Sequence, residues 1–160
     1  MHKVRFQLEH GDRNVGAIYL PDDLSTTLPV LVVCFGGLSN DQLSPFTQEL
    51  CLRGTQTGLA VVTFDFYGWG DTGGDLNAWT YGRFAANLAD VCTYISARER
   101  AAAERISGLG VSAGSTAVLR CAIEARKLAA GICVATYLGH HTLPIGPAKL
   151  LVDNIETLIA

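Results

Sequence analysis

Charge is scarce in this chain of 160 residues. Only 17% of positions are Asp, Glu, Lys or Arg, and 12 basic against 15 acidic residues leave a net charge of −3. With no basic surplus to neutralise phosphates, nucleic acid and anionic membrane surfaces are excluded as expected partners. Long hydrophobic runs are missing too. The longest, Leu128 to Gly139, is too short to span a bilayer, and the N-terminus Met1-His-Lys-Val-Arg-Phe has no apolar stretch of signal-peptide length, so the expected location is the cytoplasm. Cysteines number five, an odd count with no CxxC pair: Cys34, Cys51, Cys92, Cys121 and Cys133. Each sits in an apolar setting, so buried, reduced, inert thiols are expected rather than a disulfide frame or a metal site. There is no internal repeat and no low-complexity stretch, and residues 1–160 are expected to form one domain.

What is present is apolar material, 49% of the chain, in a changing rhythm. Val4 to Leu8 and Val15 to Leu20 alternate like half-buried strands around the turn Gly11-Asp-Arg-Asn14, which predicts an antiparallel hairpin. Val30 to Phe35 is a continuous apolar run, the mark of a strand covered on both faces. Strands and helices then alternate: a helix around Gln42 to Gly54, a strand Ala60 to Asp65, and a helix from about Tyr81 to Arg98. A strand at Ile106 to Val111, a helix from Ser115 to Lys127 and a strand from Ala129 to Leu138 follow. This alternation predicts a parallel sheet with helices on both faces and ligands at the carboxyl ends of the strands.

The richest segment is Ile106-Ser-Gly-Leu-Gly-Val-Ser112-Ala-Gly114, a strand running through a GxSxG turn into a helix. With 17 Gly in the chain, the five-residue pattern alone arises by chance in about one such sequence in twelve, so its strand and helix context carries the weight. In that context Ser112 sits on a sharp bend as a nucleophile, and a Cβ at Gly110 or Gly114 would strike neighbouring backbone. The competing role is a serine that caps the helix following it.

Two loops leave the same rim. Cys34-Phe-Gly-Gly-Leu-Ser-Asn-Asp41 has paired glycines after a buried strand, which can turn backbone N–H groups outward as an oxyanion hole. One donor is the N–H of Gly37, or of Leu38 if the turn is shifted by one, and the other is the N–H of Ala113. A plain Gly-Gly turn is the alternative. Asp65-Phe-Tyr-Gly-Trp-Gly-Asp-Thr-Gly-Gly74 packs glycine among aromatics, as a fixed loop walling a pocket does. Its Asp71-Thr-Gly73 matches a short aspartic-protease signature, but that chemistry needs two such loops on β-lobes. Gly108-x-Gly110-x-x-x-Gly114 is a loose dinucleotide-binding turn, yet no acid ends the following strand to hold a ribose.

In this order the opening hairpin, Phe35-Gly-Gly, Asp65-Phe-Tyr-Gly-Trp-Gly-Asp-Thr72 and the GxSxG turn resemble the α/β-hydrolase family, from Phe6 to about Leu138. Phe35 stands where the family has histidine and Thr72 where it has serine; both family residues support the loop. The resemblance implies a three-layer α/β/α sandwich, mostly parallel with an antiparallel N-terminal hairpin. It also implies hydrolysis of an ester or related acyl bond through an acyl-enzyme on Ser112, with a small acyl compound as substrate and no metal or organic cofactor. A serine at the bend argues against dehalogenase or epoxide chemistry.

The family's acid and general-base histidine follow later strands, and the sequence stops before either. His141, beside His140 after the strand at Ala129 to Leu138, is the in-chain candidate for the base, with Asp153 and Glu156 as nearby acids. A pair of ordinary loop histidines is the alternative. His2 and His10 belong to the hairpin. The strand at Ala129 to Leu138 is apolar on both faces, so something is expected to pair with it: the rest of a longer hydrolase, or a second copy in a homodimer. The segment from Ala148 to Ala160 is expected to be an amphipathic helix with Leu151, Ile155, Leu158 and Ile159 on one stripe. From a different class, the chain is a non-catalytic binding module that keeps the fold and lacks the base.

Overall fold

The computed structural model describes residues 1–36, 44–98 and 101–136. Six strands form one sheet: β1 (His2–Gln7), β2 (Val15–Leu20), β3 (Leu28–Cys34), β4 (Ala60–Phe64), β5 (Ala101–Val111) and β6 (Ala130–Val134), in the order β1-β2-β4-β3-β5-β6. The hairpin β1–β2 is antiparallel and β2 runs antiparallel to β4, while β4, β3, β5 and β6 are mutually parallel. The parallel strands therefore all end on one rim, which also carries the turn between β1 and β2.

Side chains alternate across this sheet and divide the core in two. On one face Val30, Val32, Val62, Phe64 and Ile106 pack against Phe84, Leu88 and Val91 of α2 (Tyr81–Ser96) and Val118 of α3 (Ala113–Arg120). On the other, Ala17, Tyr19, Val33 and Val61 pack against Cys51 of α1 (Pro45–Gln56). The result is the three-layer α/β/α arrangement, with no helix among the described residues long and apolar enough to cross a membrane.

Local chemistry sets the helix boundaries. The first helix, expected from Gln42, starts at Pro45: the Ser44 hydroxyl accepts from the Thr47 N–H at 3.1 Å, and proline is pre-set for the first helical position. Likewise the Thr80 hydroxyl accepts from the Arg83 N–H at 3.0 Å and opens α2. The helix expected to reach Lys127 stops sooner. After Arg120 the chain widens into a π turn, Cys121–Ala125, and Arg126 at φ 52° takes the left-handed conformation that ends helices.

The last strand departs furthest from expectation. β6 is paired with β5 alone among the described residues and all five of its positions are exposed, including Ile132 and Val134. Cys133 is consequently exposed rather than buried, whereas Cys34, Cys51, Cys92 and Cys121 are buried as expected. Burial pushes the Cys34 thiol well up and that of Cys51 up to about 11, which keeps both protonated and inert at neutral pH.

Candidate active site

β5 runs directly into α3 with Ser112 as the joint. Ser112 has φ 56° and ψ −124°, an L-residue in a region that side chains rarely occupy. Its side chain is exposed and makes no capping hydrogen bond to α3; the first turn is closed instead by the Ser112 carbonyl, which accepts from the Ser115 N–H at 3.0 Å. The helix-capping role weighed above is therefore not the one Ser112 performs.

Close backbone approach explains the glycines at this bend. A Cβ on Gly110 would lie 2.6 Å from the Gly114 carbonyl oxygen, and one on Gly114 would strike the Cys34 carbonyl. Gly36 is equally constrained, since a Cβ there would run into the Ala113 nitrogen and come within 2.8 Å of the Ala113 Cβ. The end of β3 thus crosses directly in front of the first turn of α3. As the first helical residue, Ala113 has no carbonyl within the helix to receive its N–H.

The loop after β4 is held by its own acid and hydroxyl. Asp65 is buried, and its carboxylate accepts from the Asp71 N–H at 2.9 Å. The Thr72 hydroxyl donates to the Asp65 carbonyl at 2.7 Å and accepts from the Val15 N–H at 2.9 Å, tying the loop to the hairpin. Its four glycines all have positive φ. Phe66 stacks on Phe84 at 4.1 Å, with Trp69 edge-on to the same ring at 5.0 Å, which gives the crowding expected of this loop. Asp71 also pairs with Arg5, a structural role. Gly108, part of the loose dinucleotide-like pattern set aside for want of an acid, lets Leu128 and Val118 pack closely on β5.

No family model matches the sequence, and no curated protein matches it. Solved structures do match in three dimensions. The α/β hydrolase GrgF from Penicillium sp. sh18 superposes with a TM-score of 0.77 over 99% of this chain and 53% of its own, at 17% identity. The fold is that of the α/β hydrolases. An α/β serine hydrolase without a lid from Xanthomonas campestris gives 0.70 over 97% of this chain and 78% of its own, at 20% identity. The Pyrococcus furiosus esterase Pf2001 gives 0.65 over 85% and 52%, at 18% identity. The chain spans about half the length of GrgF and of the Pyrococcus esterase.

On this α/β-hydrolase frame the predicted site residues divide into two groups. Ser112 and Ala113 stand together at the β5–α3 joint, beside Gly36. Gly37 and Leu38 lie outside the described residues, as do His140, His141, Asp153, Glu156 and the helix expected at Ala148 to Ala160. Of the described histidines, His10 is in the turn between β1 and β2, with β4 and β3 between β2 and the strand bearing Ser112, and His2 begins β1 at the far end of the hairpin. An apolar groove of about 490 Å³ opens away from Ser112, at the starts of β3, β4 and β5, lined by Val4, Leu20, Leu28, Ala60, Tyr94 and Arg98.

A polar cluster not expected from the sequence also lies on the rim. Arg83 donates to both Asp12 carboxylate oxygens, at 2.6 and 2.8 Å, and its guanidinium lies 3.4 Å from the centre of the Tyr67 ring. Asn87, fully buried, donates to Asp12 at 2.7 Å and accepts from the Tyr67 N–H at 3.0 Å. Hydrogen bonding from Arg83 holds the Asp12 carboxyl below its usual range. The only sequence signal was a polar Asn87 on the otherwise apolar stripe of α2.

Proposed function

We propose that the protein is a serine hydrolase of esters or related acyl bonds, with Ser112 as nucleophile. The Ser112 Oγ attacks the substrate carbonyl, and the N–H of Ala113 and that of Gly37, or of Leu38, receive the developing oxyanion. The alcohol leaves with the proton taken from Ser112, and water then cleaves the acyl-enzyme and restores the hydroxyl. The carrying observation is an exposed serine hydroxyl, unused as a cap, raised on a backbone bend at φ 56°. That neighbours of the same fold are named a serine hydrolase and an esterase supports the reading.

The proton acceptor in this proposal is His141. Hydrolysis of p-nitrophenyl acetate tests the whole: Ser112→Ala is expected to lower kcat/KM by about 10²-fold or more, and an unchanged rate contradicts the assignment. His141→Ala is expected to cost as much, and a full rate in that variant removes His141 from the mechanism. The placement of His2 and His10 in the hairpin favours a second reading, a non-catalytic binding module on the same fold. It predicts no Ser112-dependent turnover in the wild-type chain.

A further inference from the structure

Ser115, three residues past the bend, is completely buried, yet it is polar and has no part in the chemistry above. Its hydroxyl donates to the Val134 carbonyl at 2.8 Å and accepts from the Val134 N–H at 3.1 Å. The same Val134 carbonyl accepts the Ser112 N–H at 2.9 Å. A carbonyl oxygen has two lone pairs, and here one holds the Ser112 amide while the other holds the Ser115 hydroxyl.

We propose that Ser115 is a positioning residue for Ser112, acting through the last peptide of β6. The Ser112 amide bond to Val134 fixes the direction of the peptide entering the bend, and so the φ at which the Ser112 hydroxyl is raised. That bond is only as firm as the end of β6. β6 is an exposed strand paired on one side among the described residues, and the chain leaves it through Ala135 at φ 53°, a conformation that alanine disfavours. A strand end of this kind frays unless it is held. Ser115, itself buried, holds it from the helix side through these two bonds, and the Cys133 Sγ lies 3.6 Å from the Ser115 carbonyl in the same contact.

The inference rests on the proposed nucleophile for its catalytic consequence, but the positioning itself is measurable without turnover. Ser115→Ala removes one oxygen from a packed site and leaves the apolar core intact. Hydrogen exchange by NMR is expected to show the Ser112 and Val134 amides exchanging about tenfold faster, with Val32 and Val62 in the sheet centre unchanged. Reaction with a fluorophosphonate is expected to keep its saturation constant and lose about tenfold in the limiting rate. Exchange at Ser112 equal to wild type, or a uniform rise across the sheet with an unchanged limiting rate, overturns the proposal. Absence of labelling in the wild type together with the local exchange change refutes the nucleophile and leaves the positioning standing.

Discussion

Ser112 keeps a conformation that costs about 1–3 kcal/mol for a residue with a side chain. Ser112→Gly relieves that strain at the expense of a more flexible unfolded chain, so a net stabilisation of about 1 kcal/mol is expected in thermal or urea unfolding, while Ser112→Ala leaves stability near that of wild type. A glycine variant less stable than wild type would show that the bend is unstrained. Gly36→Ala is expected to destabilise by about 2 kcal/mol, because its Cβ falls on the backbone of Ala113. The need for Gly110 and Gly114 was legible in the sequence, since both belong to one local motif. The close approach that constrains Gly36 was not, because it arises where the chain leaving β3 meets α3, about 77 residues apart; the same contact constrains Gly114, which was legible only through its place in the motif. Cys133 differs from expectation for a related reason: apolar neighbours in sequence do not cover a strand that has one pairing partner among the described residues. A thiol reagent is expected to modify Cys133 alone in the native protein and all five cysteines after unfolding.

The elements are joined by pairs that no periodicity reveals. Asp12 in the hairpin turn and Arg83 in α2 bring together segments 71 residues apart. Since Arg83 lowers the Asp12 pKa in the folded protein, this pair contributes stability above the ordinary value of 3.8, and the contribution is lost as the pH falls through the depressed folded value. Asp12→Asn is therefore expected to lower Tm at pH 7 and to flatten the acid limb of the Tm–pH curve. Asp90 has the opposite sign. Its pKa is raised by burial and then by the charge of Asp12, so the ionised form opposes folding above that pKa and the opposition fades as the pH falls. Asp90→Asn should raise Tm at pH 7, with the difference from wild type closing below about pH 4; a difference independent of pH would contradict the assignment. The apolar stripe of α2 fixed its span almost to the residue, because seven buried positions repeat at helical spacing. The π turn after α3 left no such trace, as Cys121 to Lys127 reads as ordinary helix.

Across the whole molecule, strand and helix alternation was enough to establish a parallel sheet covered on both faces. The placing of β4 between β2 and β3 was not, since strand order is decided by which edges meet and not by any pattern within a strand. Among the described residues the two faces are unequally covered. Leu109 and Ile132 are partners in register, as are Val111 and Val134, so all four side chains lie on the face where α1 packs over β4 and β2. Ile132 is 57% exposed there and Val134 47%, on a strand that carries no charge and no proline to discourage pairing. Sedimentation velocity is expected to show association that grows with concentration and is suppressed by Ile132→Lys with little change in Tm. Identical profiles for the two proteins would mean that this face makes no contact with a second copy.

The central claim is that the Ser112 hydroxyl is an activated nucleophile, and covalent capture tests it most directly. The wild-type chain treated with a fluorophosphonate and digested is expected to yield one phosphonylated peptide with the adduct on Ser112, and none in Ser112→Ala. An unmodified Ser112 in the wild type, or an adduct of equal yield on another residue in the variant, would contradict the account.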